Sequence, residues 1–223
     1  MVTARAVSTL LRLRAEASFD GETFEGLELD REDLSGKELC QCTFRNCKLQ
    51  ESRWGRTRLE DCIFEGCDLT GMVPRELAAR GVKFHGCKLL SVNWADLGSY
   101  PQMEFADCDL RYVAFVSVSL HQAPFLRCKA TEATFIEADL TSADFADTDL
   151  TGAVFEKCIL RKADFSKARG AFLDPAKNQV RDARINEESA ALLASSFGLK
   201  VSGFTVKTAD PSARPGRAVR RTR

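Results

Sequence analysis

The side chains best suited to chemistry in this chain are nine cysteines and two histidines, set among 32 acids and 32 bases. Thiolates and imidazoles make zinc sites when they recur at spacings such as Cys-x2-Cys, and a cysteine activated by a histidine makes a nucleophile. The nearest cysteine spacings here are Cys40-x-Cys42 and Cys42-x4-Cys47, and neither is a zinc pattern. His85 and His121 have no serine or cysteine partner at a suggestive spacing, and no glycine-rich phosphate loop occurs. The carboxylates are scattered and not paired in any acid–base arrangement. The residues therefore point away from an enzyme, and no catalytic, metal or cofactor position is assigned.

Composition narrows the class further. At 44% hydrophobic and 29% charged, the 223 residues suit an ordinary soluble globular protein. No apolar run reaches the roughly 18 residues of a membrane span, so no membrane partner is expected. Met1 to Ala15 breaks its apolar stretch with Arg5, Arg12 and Arg14, unlike a signal peptide. An odd cysteine number without an export signal predicts a reducing, cytoplasmic setting.

The elements that must hold these side chains follow from a repeat. Counting in fives from Phe19 meets Phe24, Leu29, Leu34, Leu39, Phe44, Leu49, Trp54, Leu59, Phe64 and Leu69. The register crosses Pro74 and Ala79, resumes at Phe84, Leu89 and Trp94, and after one inserted residue runs from Phe105 to Phe165. In those three runs every central residue is Phe, Leu or Trp except Ala130. The position two before each centre is mostly small, as in Cys42, Cys67, Ala133 and Ala143, with Glu22, Glu32 and Lys37 as exceptions in the first turns. A period of five fits neither a helix nor a flat strand. It predicts a chain that turns a corner every five residues, with two side chains inward and three outward.

The stretches Ala138-Asp139-Leu140 and Ala143-Asp144-Phe145 resemble the A-[DN]-[LF]-x-x repeat of the pentapeptide-repeat family, over about residues 17–169. The resemblance implies an all-β fold, a right-handed quadrilateral β-helix with four repeats per coil. The sequence agrees: Phe24, Phe44, Phe64 and Phe84 are spaced by twenty, and Phe105, Phe125, Phe145 and Phe165 continue the series. Coils about 4.8 Å apart would make a rod about 40 Å long. Eight of the nine cysteines fall on the inward small position, which predicts inert thiols acting as small hydrophobes. Cys40 is the exception, expected outward and open to thiol reagents.

Residues 1–16 read as a lead-in, 170–204 as a capping module and 205–223 as a basic disordered tail. In the module, Asn186-Glu187-Glu188 predicts a helix start and Gly198 its stop, with Ala190, Leu193 and Phe197 as an apolar stripe beside Leu192. Leu199 and Val201 predict a short half-buried strand. Two irregular segments, 72–81 and 95–102, are either tolerated irregularities on the solenoid surface or loops carrying specificity, the reading their place in the middle of the rod favours.

The stretches Cys108 to Phe115 and Leu173 to Asn178, with the helix that follows, resemble the topoisomerase-protecting members of the family. These are the immunity protein of microcin B17 producers and the Qnr-type quinolone-resistance proteins. That resemblance implies a homodimer, joined through Leu192, Leu193, Phe197, Leu199 and Val201, that shields DNA gyrase or topoisomerase IV from a poison by imitating duplex DNA. Antibiotic resistance or producer self-immunity would be the outcome. Pro74, Arg75, Glu76, Arg80, Asp96, Ser99 and Tyr100 would then touch the enzyme. A generic interaction scaffold is the alternative that the repeat alone equally permits.

The charge supports mimicry in part. Residues 15–204 hold 31 acids against 23 bases, a net of −8 masked by basic ends of +3 and +5. Residues 131–150 carry Glu132, Glu137, Asp139, Asp144, Asp147 and Asp149 and no base, which suits a cationic DNA groove. A plainer role for an Asp preceding a centre is to accept hydrogen bonds from corner amides. On the mimicry reading the solenoid itself does not bind nucleic acid.

Overall fold

The structure, a computed structural model, describes residues 4–98 and 100–204. Most of the chain is a parallel β-solenoid of about eight turns. Each residue lies beside its counterpart one turn on, so Phe24 pairs with Phe44, Phe44 with Phe64 and Phe64 with Phe84. Phe84 then pairs with Phe105, so the inserted residue is absorbed within a single turn. The longest sheet holds Thr23–Glu25, Thr43–Arg45, Ile63–Glu65, Val82–His85, Met103–Ala106 and Phe125–Leu126.

The corners explain the period. The residue two after a centre repeatedly takes a positive φ, as at Asn46 (51°), Arg127 (53°), Glu137 (54°) and Gly152 (73°). Left-handed backbone at every fifth residue reverses the chain too sharply for a longer strand to form.

Inside, the rings stack at the coil spacing. The column from Phe24 to Phe165 is stacked throughout, with centroids 4.6–5.3 Å apart. A second column, Trp94, Phe115, Phe135 and Phe155, is also stacked and meets the first edge-on, for example Phe145 against Phe155 at 89°. Stacking along the axis and edge contact across it are the two arrangements that ring quadrupoles favour.

The inward small position does more than save space. Cys67 donates its Sγ–H to the carbonyl of Phe44 at 3.3 Å, and Cys62, Cys87, Cys108 and Cys158 make the same bond to Leu39, Phe64, Phe84 and Phe135. Thr57 and Thr148 replace the thiol by a hydroxyl, and Asn178 by its amide, on the carbonyls of Leu34, Phe125 and Phe155. Where the slot holds Cys, Thr or Asn the side chain donates to the carbonyl of a central residue, and where it holds Ala, as at Ala133 and Ala143, it only saves space. Eight cysteines are buried and Cys40 is half-buried. Desolvation pushes the Cys40 and Cys158 thiols up, away from the reactive thiolate.

Residues 72–81 are not a loop. Met72, Pro74, Leu77 and Ala79 all point inward, and Ala78–Arg80 pairs with Arg58–Glu60. The segment keeps the twenty-residue count, and Pro74 fills the central place between the rungs of Trp54 and Trp94, where a smaller side chain suffices. At 95–102 a true bulge forms, and Tyr100 stands 84% exposed at φ 55°.

Both ends are closed. Helix α1 (Ala4–Ala15) covers the N-terminal end, where the sequence reading saw only a lead-in. The three exceptions to the small position are its anchors: Glu22 pairs with Arg12 at 3.0 Å, Glu32 pairs with Arg14, and the Lys37 ammonium donates to the Glu16 carbonyl at 2.7 Å. Leu13 is fully buried in the core beside them. At the other end the ladder continues past residue 169, with Arg184–Ile185 pairing with Asp164–Phe165. Helix α2 (Glu187–Ser196) follows, its Asn186 cap accepting from the Ser189 amide at 2.9 Å, and Gly198 stops it at φ 77°. The expected strand at Leu199 and Val201 does not form; the chain turns there because no neighbouring strand is offered to pair with it. The tail, 205–223, lies outside the described residues.

If α1 is an integral lid, Leu13→Ala should lower unfolding free energy by about 2–5 kcal/mol in a denaturant titration. A change within about 0.5 kcal/mol would show a helix resting on the end without closing it.

Candidate functional site

The rings and small residues fill the interior, so recognition must occur on the outer faces. Among the described residues no group of three or more His, Cys, Asp or Glu could hold a metal ion. His85 and His121 are exposed. No helix among them is long and apolar enough to cross a membrane.

The expected enzyme contacts do not gather into one loop. Pro74 is buried and cannot meet a partner. Arg75, Glu76, Asp96 and Tyr100 are exposed, and the Glu76 amide donates to the Asp96 carbonyl at 2.6 Å, placing those two on neighbouring turns of one corner. Arg80 lies on the next face, near Glu60 at 3.7 Å. Ser99 lies outside the described residues.

The six acids of 131–150 divide by role. Asp139 and Asp149 each accept from a threonine amide and hydroxyl two residues on, and Asp144 accepts from the Ala146 amide. These three hold corners, the plainer of the two roles. Glu132, Glu137 and Asp147 occupy the positive-φ corner positions and are exposed. Lys157 at 3.1 Å and Ser117 hold the Glu137 carboxyl below its ordinary range.

A longer charge pattern governs the rest of the surface. On one face Glu28, Lys48, Asp68, Lys88, Asp109, Lys129, Asp149 and Arg169 lie in successive bridges, alternating in sign along the whole rod. Other faces carry the same opposition, as in Arg31–Glu51, Arg45–Glu65, Arg58–Glu38 and Arg127–Asp107 at 2.8–2.9 Å. Exposed pairs contribute only about 0–1 kcal/mol each, but like charges so placed would repel, so the alternation favours one register. A twenty-residue count of charge sign in the sequence would have exposed this. The net −8 is consequently not spread evenly. Residues 15–36 hold eight acids and one base, and three of those acids are engaged at α1. Residues 137–156, a single turn, hold six acids and no base and form an acidic band, in which Glu137 is paired with Lys157 and Asp149 lies between Lys129 and Arg169 of the adjacent turns.

The C-terminal module presents apolar surface instead. Helix α2 buries Ser189 and Ala191 and leaves Ala190 exposed, shifting the packed face from the expected stripe. Leu192, Leu193 and Val201 are half-buried, while Phe197 and Leu199 are 69% and 62% exposed near the exposed Phe204.

Five-residue corners, four-sided turns and a filled interior define a pentapeptide-repeat β-helix. A pentapeptide repeat region matches residues 37–99, and eight pentapeptide copies match 138–169. The chain thus carries pentapeptide repeats over those two stretches. It is similar to the quinolone resistance pentapeptide repeat protein QnrB96 of Scandinavium goeteborgense, 31% identical over 70 residues that make up 31% of this chain and 33% of that one. The match thus spans about a third of that relative's length. The fold is that of QnrB1, a plasmid-mediated fluoroquinolone resistance protein. A trypsin-treated form superposes with TM-score 0.63 at 19% identity over 82% of this chain and 89% of that one. The full-length form gives 0.61 at 18% identity over 82% and 100%.

The division of the acids can be measured. Asp139→Ala should cost about 1 kcal/mol of stability through its lost turn bonds, and Glu132→Ala should stay within about 0.5 kcal/mol. Equal effects in denaturant unfolding would remove the distinction.

Proposed function

We propose that this protein binds a type II topoisomerase, DNA gyrase or topoisomerase IV, in the cytoplasm and protects it from a poison, without catalysing a reaction. The observation that carries the proposal is the base-free acidic band at 137–156 on a narrow rigid rod. Likeness to quinolone-resistance proteins in repeat sequence and fold supports it. A rod with exposed carboxylates can enter a cationic groove built for duplex DNA, where neutralised charge supplies most of the affinity. The alternating ladder limits this mimicry. Turns that pair their own acids and bases offer little net field, so the acidic band and not the whole body serves as the DNA substitute. Arg75, Glu76, Asp96 and Tyr100 add contacts nearer the middle of the rod.

The test is gyrase supercoiling with and without a poison across a range of protein concentrations. Recovery of supercoiling in the presence of poison is expected. Glu137→Lys with Asp147→Lys should shift the protective dose several-fold higher. No relief of any poison class would sink the protector reading and leave a generic scaffold.

The same reading includes a homodimer joined through the C-terminal module, since Phe197 and Leu199 present more apolar surface than a free end needs. Phe197→Glu and Leu193→Glu should each give monomers in light scattering. Persistence of dimers in both would place the interface elsewhere.

A further inference from the structure

Beyond the acidic band the charge pattern breaks. Residues 157–184 carry eight bases and three acids. Five of the bases share one side of the last two turns: Lys157, Arg161 and Lys162 on one turn, Lys177 and Arg181 on the next. Ile159 bridges Gln179, the Lys157 amide donates to the Lys177 carbonyl at 2.9 Å, and the Lys162 amide to the Arg181 carbonyl at 3.0 Å. Lys177 therefore lies over Lys157 and Arg181 over Arg161, and all five are exposed.

These are the two places in the solenoid where a base lies over a base. Elsewhere each base faces an acid or an uncharged residue one turn on. Stacking like charges at strand spacing is destabilising, and compensation is slight. Glu137 neutralises Lys157, the exposed Asp182 lies over Lys162, Arg161 donates to the Gln179 side-chain carbonyl at 2.6 Å, and among the described residues Arg161, Lys162, Lys177 and Arg181 form no ion pair.

We infer that this basic face binds the phosphate backbone of duplex nucleic acid. The ligand must be a polyanion with closely spaced charges, because only such a ligand relieves both like-charge pairs together. Guanidinium groups suit phosphate geometry. The residues between the bases, Ile159 and Gln179, include no aromatic ring on which an unpaired base could stack, so the face favours a duplex over a single strand. Binding is to the backbone and carries no sequence preference. This departs from the expectation that the solenoid does not contact nucleic acid, and it does not depend on any enzyme target.

Fluorescence anisotropy of the full chain with a labelled duplex, a labelled single strand and labelled poly-glutamate, across a salt series, tests it. The duplex should bind more tightly than either other probe, with log affinity falling against log salt at a slope of about −3 to −4. Arg161→Glu with Arg181→Glu should weaken binding at least ten-fold and flatten the slope by about 2. A variant with Arg217, Arg220 and Arg221 changed to Gln controls for the basic tail and should retain the slope. Lys177→Glu, which turns a like pair into an opposite one, should raise the melting temperature. Equal binding by the Arg161/Arg181 variant, loss confined to the tail variant, or stronger binding of poly-glutamate would overturn the inference. A fall in melting temperature for Lys177→Glu would also count against it, since the like-charge stack would then not be a strain.

Discussion

Everything in this rod depends on one constraint: each residue lies against its counterpart one turn on, at the separation of hydrogen-bonded strands. The stacked rings at 4.6–5.3 Å are that spacing made visible. For apolar side chains the constraint is favourable, because like lies on like and Phe stacks on Phe. For charges it is adverse, because a repeated acid or base would repel its neighbour. The sequence answers with opposite signs on alternate turns, from Glu28 to Arg169 along a single face. Two features stand out against that rule, a turn without bases and a face where base lies over base, and the rule also lapses where Asp144 bridges Asp164 and Glu76 meets Asp96.

The same spacing governs the hydrogen bonds beneath the surface. Where the residue two before a centre is Cys, Thr or Asn, its side chain donates to the carbonyl of a central residue, by thiol, hydroxyl or amide. Cysteine suits the slot because it is small, apolar and still a weak donor. Its abundance reflects packing and not redox or metal chemistry. Trp54 and Trp94 show how local the fit is: the first donates its indole N–H to Ser52 at 2.8 Å, while the second, with Val92 in the corresponding place, has no partner.

A solenoid must also end, and the two ends differ in kind. At the N-terminal end Glu22, Glu32 and Lys37 abandon the small-residue rule and hold α1 by ion pairs and a hydrogen bond. At the C-terminal end α2 is tied to the last turn through Asn186 on the Ala168 carbonyl, yet leaves Phe197 and Leu199 uncovered. One end is closed by ion pairs and a buried leucine, and the other leaves apolar side chains exposed.

The repeat by itself determined the fold, its twenty-residue turn and the inward faces, and the capping residues Asn186 and Gly198 marked the ends of α2. These are local and periodic: the side chain that points inward is set by backbone geometry within five residues. Tertiary structure decided what periodicity cannot encode. Residues 72–81 look irregular in sequence yet form an ordinary turn, because the core tolerates Pro74 between two tryptophans. Glu22, Glu32 and Lys37 read as defects until α1 supplies their partners. Among the acids of 131–150 the sequence position before a centre already set Asp139, Asp144 and Asp149 apart, and the structure gives them the turn bonds that the exposed Glu132 and Asp147 lack. The stacking of Lys177 on Lys157 and Arg181 on Arg161 became visible only once the last turns were seen to continue the ladder where the sequence repeat had faded. For Glu32, Lys37 and the stacked bases the partner lies about twenty residues away and coiling brings it close, whereas the bonds of Asp139, Asp144 and Asp149 reach only two residues along the chain.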